Sequence, residues 1–155
     1  MRAFSDAVYP AVLLAMVAVL VAGAVAYVAA TRIGPTAGAA AQNTARFARL
    51  LIVATWVARG ATGIEIVAIG ALLGAGVTHP PMIMLVGYLV AAVAVLGLLG
   101  ISRLGAPPAP GEAHDPDRPA LSPRQMVQAD GAAAMIVGAA LAVVAWRLNT
   151  ILLAG

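Results

Sequence analysis

Three charged residues, Arg59, Glu65 and Arg147, lie within long apolar stretches and are the first candidates for chemistry. In a membrane-spanning segment such side chains are costly, face the bundle interior and are functional candidates by default. Counted from Leu50 at 1.5 Å per residue, Arg59 lies about 13.5 Å and Glu65 about 22 Å into the membrane. At 100° per residue, Arg59 lies about 40° and Glu65 about 160° from Gly63. The two charges therefore need separate partners.

Arg147 is the candidate partner for Glu65. Arg147 lies sixteen residues beyond Gly131 and therefore about 24 Å into the membrane, level with Glu65. We therefore predict an ion pair between the second and fourth helices that fixes their register. Two alternatives stay open: Glu65 is a protonatable carboxylate in a transport path, or Arg147 lies at the water interface and leaves Glu65 unpaired.

Arg59 has no acid at its predicted depth, because Asp130 belongs to the cytoplasmic boundary. Three interpretations follow. The guanidinium donates to backbone carbonyls or to hydroxyls such as those of Thr55 and Thr62, it meets an acid of a partner subunit, or it binds an anionic ligand or lipid headgroup in a cleft. The helix-weakening sequence at 60–63 follows directly, and an opened turn there would favour the ligand.

Other chemistry finds little support. His79, Met82 and Met84 offer ligand types that suit Cu(I), but the two methionines are about 200° apart on a helix, and an ordinary turn is the simpler interpretation. The chain has no cysteine, and it lacks the glycine, serine and histidine motifs of nucleotide-binding proteins, hydrolases and metalloproteases. We expect no catalysis, no cofactor and no metal. The net charge of +3 is too scattered for nucleic-acid binding.

The composition indicates a membrane protein. Of 155 residues, 63% are hydrophobic and 10% charged, whereas a soluble domain has about 45–50% and about 25%. The basic residues are all arginine and alanine is abundant, which suggests a high-GC bacterial genome. We therefore predict an all-α polytopic protein of a bacterial cytoplasmic membrane, with residues 1–155 forming one domain.

Four stretches are long enough to cross a bilayer, at about 7–30, 50–74, 81–101 and 131–153. Six arginines in the loops after the first and third spans, against two on the other side, place these loops in the cytoplasm and both termini outside. The alternative is a cleaved signal peptide ending near residues 24–26, which would reverse the loops.

Several helix boundaries and one loop are readable. Ser122, Pro123 and Gln125 form the pattern of a capping box, which predicts a fourth helix beginning before the membrane. The second helix opens at Asn43-Thr44 or at Pro35-Thr36. The proline-rich stretch 102–122 predicts an extended cytoplasmic connector.

Small residues predict the packing faces of the helices, because they let backbones approach closely in lipid. The second helix carries one such stripe, and the fourth carries another. The stripe residues are Gly63, Gly70, Gly74, Ala134 and Gly138. These faces serve either a four-helix bundle or an oligomer.

Four spans with one membrane glutamate resemble the small multidrug transporters in outline, but here the carboxylate is on the second helix, the loops are longer and the termini lie outside. No residue role is transferred. We expect a non-enzymatic accessory or assembly subunit that binds a membrane protein partner through Arg59 and the glycine stripe. The alternative is a small oligomeric transporter, or an anion- or ligand-binding membrane protein, that uses Arg59 and Glu65.

Overall fold

The computed structural model describes residues 4–32, 37–76, 80–99 and 121–154. Within these ranges the chain is helical and has no strand. A π-helical turn at Phe4–Val8 leads into α1 (Tyr9–Arg32), which is followed by α2 (Ala37–Gly74), α3 (Met82–Leu96) and α4 (Pro123–Ala154). Three of the helices are long and apolar enough to cross a membrane.

The predicted capping box at the start of α4 is confirmed. The backbone N–H of Ser122 donates to Oε1 of Gln125 at 2.8 Å, and the N–H of Gln125 donates to Oγ of Ser122 at 3.3 Å. Together these bonds satisfy two backbone donors that a helix start would leave unpaired.

The structure distinguishes the two predicted openings of the second helix. α2 begins at Ala37, directly after the predicted opening at Pro35-Thr36, whereas Asn43-Thr44 lies inside the helix. Alanine-rich sequence before residue 50 has high helix propensity, which extends the helix beyond its apolar part. At its far end Gly76 has a φ of 64° and terminates the helix, a conformation that glycine adopts without strain.

The predicted span at 81–101 contains a shorter helix. α3 has 15 residues, about 22 Å of helix, and is followed by a turn at residues 97–99. Pro80 and Pro81 precede it, and proline limits how far a helix extends toward its N-terminus. The predicted connector 102–122 lies almost wholly outside the described residues.

α1 and α4 form a tight antiparallel pair. Gly23 of α1 lies against Gly131 of α4, and Leu20, earlier on α1, lies against Gly138, later on α4. The two helices therefore run in opposite directions. A Cβ added to Gly23 would lie 2.7 Å from the carbonyl oxygen of Gly131, and one added to Gly138 would lie 2.7 Å from the backbone nitrogen of Leu20. The backbones therefore meet without an intervening side chain, as in membrane helix pairs that use small residues.

Arg124 ties the same pair together at one end. Its Nε donates to the carbonyl oxygen of Ala30 at 2.7 Å, and its Nη2 donates to that of Thr31 at 2.8 Å. The last carbonyls of a helix have no intrahelical partner and carry the negative end of its dipole. A guanidinium from the start of α4 thus satisfies the end of α1.

α4 packs against α1, α2 and α3, and its contact with α1 is the most extensive in the protein. α2 also packs against α1 and, over a smaller area, against α3. The core consists mainly of aliphatic side chains from all four helices, including Met16, Ile69, Leu85 and Leu148.

Replacing Gly138 by alanine should destabilise the protein, because the new Cβ would meet the α1 backbone. Overpacking of this kind costs roughly 1–3 kcal/mol. The control is Gly70→Ala, where a Cβ meets nothing within 4 Å and helix propensity favours alanine by up to about 1 kcal/mol. Thermal unfolding in detergent, followed by circular dichroism, should show a lower Tm for Gly138→Ala and an equal or higher Tm for Gly70→Ala. Equal losses in both variants would contradict the close α1–α4 approach.

Candidate functional site

α2 has two distinct faces. One is buried against the other helices and contains seven residues: Leu51, Ala54, Ala58, Ala61, Thr62, Glu65 and Ile69. The other, which we call the outer face, comprises Ile52, Trp56, Arg59, Gly63, Ile66, Gly70 and Gly74. All seven residues of the outer face are exposed, meaning that the described part of the chain does not cover them.

The glycines of the outer face take no part in packing within the chain. A Cβ built on Gly63, Gly70 or Gly74 meets nothing within 4 Å. Gly138, in contrast, lies directly against α1, and Ala134 is buried beside the Gly23 contact. The stripes predicted for the second and fourth helices therefore have different surroundings: the α4 stripe packs inside the protein, and the α2 stripe faces outward.

Three residues of the outer face, Ile52, Trp56 and Arg59, line one wall of a groove of about 750 Å³. α4 supplies the opposite wall, from Pro123 to Ala134, and Leu99 also lines the groove. The polar lining residues are Thr44, Thr55, Arg59 and Asp130. Asp130, which the sequence assigned to the membrane boundary, thus shares this groove with Arg59.

Arg59 is exposed and lies beside an aromatic ring. Its guanidinium carbon is 5.8 Å from the centre of the Trp56 ring, one helical turn earlier, within the range of a cation–π contact. Long side chains on a helix point toward its N-terminus, so the guanidinium leans toward the end of the groove where α2 and α4 begin. Thr55, one of the hydroxyls predicted to accept from Arg59, instead donates to the carbonyl oxygen of Leu51 at 2.9 Å.

The predicted ion pair between Glu65 and Arg147 is absent from the described residues, since the Glu65 side chain makes no salt bridge there. Glu65 is 4% exposed, whereas Arg147 is exposed with its guanidinium carbon 5.2 Å from the centre of the Trp146 ring. The depth count placed both residues at one level but did not fix the rotation of α4, which turns Arg147 away from the core.

Thr62 accompanies Glu65 in the core. It is 1% exposed, and its Oγ1 has no hydrogen-bond partner among the residues that the structure describes. Thr55 and Thr150 show the usual arrangement, in which the hydroxyl donates to the carbonyl four residues earlier. Thr62 departs from it.

The remaining candidate residues form no site in the described part of the chain. Met82 and Met84 are exposed on α3, and His79 lies outside the described residues. No group of three potential metal ligands occurs among the residues described.

Sequence reasoning missed Gly23 and the role of Arg124. Gly131 and Gly138 are seven residues apart, two helical turns, and this spacing could have identified the α4 face. A single glycine in an alanine-rich helix carries too little signal to identify its counterpart on α1.

No family of known proteins, no curated protein and no solved structure matches the chain.

Proposed function

We propose that the chain crosses the membrane four times and works as a non-enzymatic accessory or assembly subunit whose outer face on α2 binds a transmembrane helix of another protein. The observation that carries this proposal is the outward position of Arg59, Gly63, Gly70 and Gly74 on one helix face. The membrane crossings determine the depth at which that face lies in the bilayer.

The positions of the helix ends support a return crossing between α2 and α4. Four residues separate α1 from α2 and span at most about 14 Å, so α2 begins on the side where α1 ends. Arg124 bonds to the end of α1, so α4 begins on that side as well. α2 is about 57 Å long and ends on the other side.

α3 makes this return. Leu99, just beyond its end, lines the same groove as Pro123 at the start of α4. Its helix is about 8 Å shorter than the roughly 30 Å hydrocarbon core, and local thinning of the bilayer accommodates such a mismatch at modest cost. The arginine distribution orients the bundle in a bacterial cytoplasmic membrane with both termini outside.

Cysteine labelling tests the return crossing, and the natural chain contains no cysteine that would interfere. Single replacements of Asn43, Ala75, Ser122 and Leu153 are all at exposed positions. A membrane-impermeant maleimide added outside intact cells should label the Ala75 and Leu153 variants, and should reach the Asn43 and Ser122 variants after the membrane is opened. Labelling of Ala75 and Ser122 from one side would contradict the fourth crossing.

Three features of the outer face favour a partner helix. Glycines allow close backbone approach in lipid, where little hydrophobic force draws helices together. The chain uses this device between α1 and α4, and Gly63, Gly70 and Gly74 repeat it on a surface that its own helices leave uncovered. A charged group at membrane depth, here Arg59, calls for an acid or another polar partner.

The partner is better supplied by another protein than by a second copy. In a two-fold interface the same stripe meets itself. From Ile52 to Gly74 the outer face contains no acid, so a copy would bring its own Arg59 to this surface. A helix of another protein with a carboxylate level with Arg59 satisfies both the charge and the close approach.

Site-specific photo-crosslinking tests this contact in living cells. A photoreactive amino acid at Ile66, which lies on the outer face and leaves the glycines intact, should give one discrete adduct with another membrane protein, identified by mass spectrometry. The matched control is Ile64, which is 61% exposed but lies about 160° from Ile66 around α2. In the Ile66-labelled protein, Arg59→Gln should lower the adduct yield about tenfold or more, the equivalent of an interaction worth about 1.4 kcal/mol.

Equal adduct patterns at Ile66 and Ile64, or lipid adducts alone, would contradict partner binding at the outer face. An adduct with a second copy of the chain would replace the heteromeric partner by a homo-oligomer. Arg49→Gln controls for the loss of one arginine, since Arg49 is exposed near the start of α2.

A second candidate function is binding or transport of an anionic amphiphile, and the groove that reaches Arg59 favours it. Its volume lies in the range of small-molecule sites, about 300–1,000 Å³. Apolar walls suit an acyl chain, and Arg59 suits a phosphate or carboxylate. Glu65 does not line this groove.

Tryptophan fluorescence separates the two candidates. Trp146→Phe leaves Trp56, on the groove wall, as the single tryptophan. Transfer from phosphatidylcholine bicelles to bicelles containing phosphatidylglycerol should change Trp56 emission if an anionic lipid occupies the groove, and Arg59→Gln should abolish the change. No change in the protein with Arg59 intact would contradict lipid binding in the groove.

A further inference from the structure

We propose that Thr62 and Glu65 form a proton-binding site inside the helix bundle. The site is separate from the outer face of α2, because Glu65 points about 120° away from Arg59 around the helix. It concerns a different ligand from the partner helix and does not depend on that proposal.

The first observation is an isolated carboxyl group in the core. Glu65 is 4% exposed, and within the described residues its side chain has no ion pair and no hydrogen bond. A buried carboxylate without a partner is strongly disfavoured, both in protein cores and in lipid. A bound cation removes this cost.

The second observation is the unused hydroxyl of Thr62. This residue precedes Glu65 by three positions, and residues at that spacing are neighbours on a helix surface. Its hydroxyl is buried and unpaired, unlike those of Thr55 and Thr150, which bond to their own helix. A hydroxyl can donate to a carboxylate, so Thr62 can hydrogen-bond Glu65 once the proton has left, and this bond favours the charged form of the carboxyl group.

No other charged group competes for Glu65 on the surrounding helices. α1 has Arg32 at its end and Asp6 before its start, with Tyr9 and Tyr27 as its other titratable residues. α3 has Tyr88 alone. On α4, Arg124 bonds to α1, Asp130 lines the groove, and Arg147 faces outward over Trp146.

A proton fits this site better than a metal ion does. Hard metal cations such as Ca²⁺ and Mg²⁺ take six or more oxygen ligands. Thr62 and Glu65 supply three side-chain oxygens, and the described residues contain no cluster of metal ligands. A proton requires one carboxylate oxygen.

The test uses dicyclohexylcarbodiimide, an apolar reagent that attacks protonated carboxyl groups within membranes. The full-length protein in phosphatidylcholine vesicles should be labelled at Glu65, located by peptide mass spectrometry, and labelling should decrease as the pH is raised at constant ionic strength. A water-soluble carbodiimide should leave Glu65 unlabelled. Glu65→Gln should remove the label, with circular dichroism showing that the variant still folds.

Thr62→Val tests the second member of the site, since it keeps the shape and removes the hydroxyl. Labelling of Glu65 should become about fivefold faster, the equivalent of one hydrogen bond, and Thr62→Ser should restore the natural rate. An unchanged rate in Thr62→Val would remove Thr62 from the site.

Two results would overturn proton binding. One is absence of the label at Glu65 throughout the pH range in the folded protein. The other is protection of Glu65 when sodium replaces choline at constant pH and ionic strength, which would identify a metal-cation site instead.

Discussion

The close backbone contact between α1 and α4 determines the rest of the structure. Lipid gives helices little hydrophobic reason to associate, so their pairing depends on close packing and on polar groups. Gly23 and Gly138 supply the packing, because at each of them the opposing backbone occupies the place of a side chain. Arg124 adds two hydrogen bonds at one end. This pair sets the antiparallel direction of α1 and α4.

α2 has one face packed toward this pair and another turned away from it. One of its faces completes the core with small and aliphatic side chains together with Thr62 and Glu65. The other presents Arg59 and three glycines that the described helices leave uncovered. The same helix therefore separates two polar groups of different chemistry: Glu65 is buried on one face, whereas Arg59 is exposed on the other and lines the groove. This separation is why partner binding and proton binding can be tested independently.

The sequence predicted local features well and relative rotations poorly. The capping box at Ser122 is encoded by four consecutive residues, and the three long apolar helices follow from the hydrophobic composition of their stretches. Neither feature requires information about the tertiary structure. The different directions of Arg59 and Glu65, about 120° apart, followed from helical geometry within α2. Arg59 is exposed and Glu65 is buried.

Errors arose where several helices had to be combined. Depth along a helix is set by counting residues, but the angle at which α4 presents Arg147 depends on its contact with α1 through Gly131 and Gly138. The apolar run at 81–101 likewise did not reveal how short α3 would be. The groove results from the arrangement of α2, α4 and the turn after α3, and no single stretch of sequence encodes it.

Native mass spectrometry tests directly whether a partner covers the outer face of α2. The protein would be isolated in a mild detergent from the membrane in which it is naturally made, and the mass of the intact complex would be measured. A complex with one other membrane protein at fixed stoichiometry, lost in Arg59→Gln, is the predicted result. A chain that is monomeric both with and without Arg59 would contradict it.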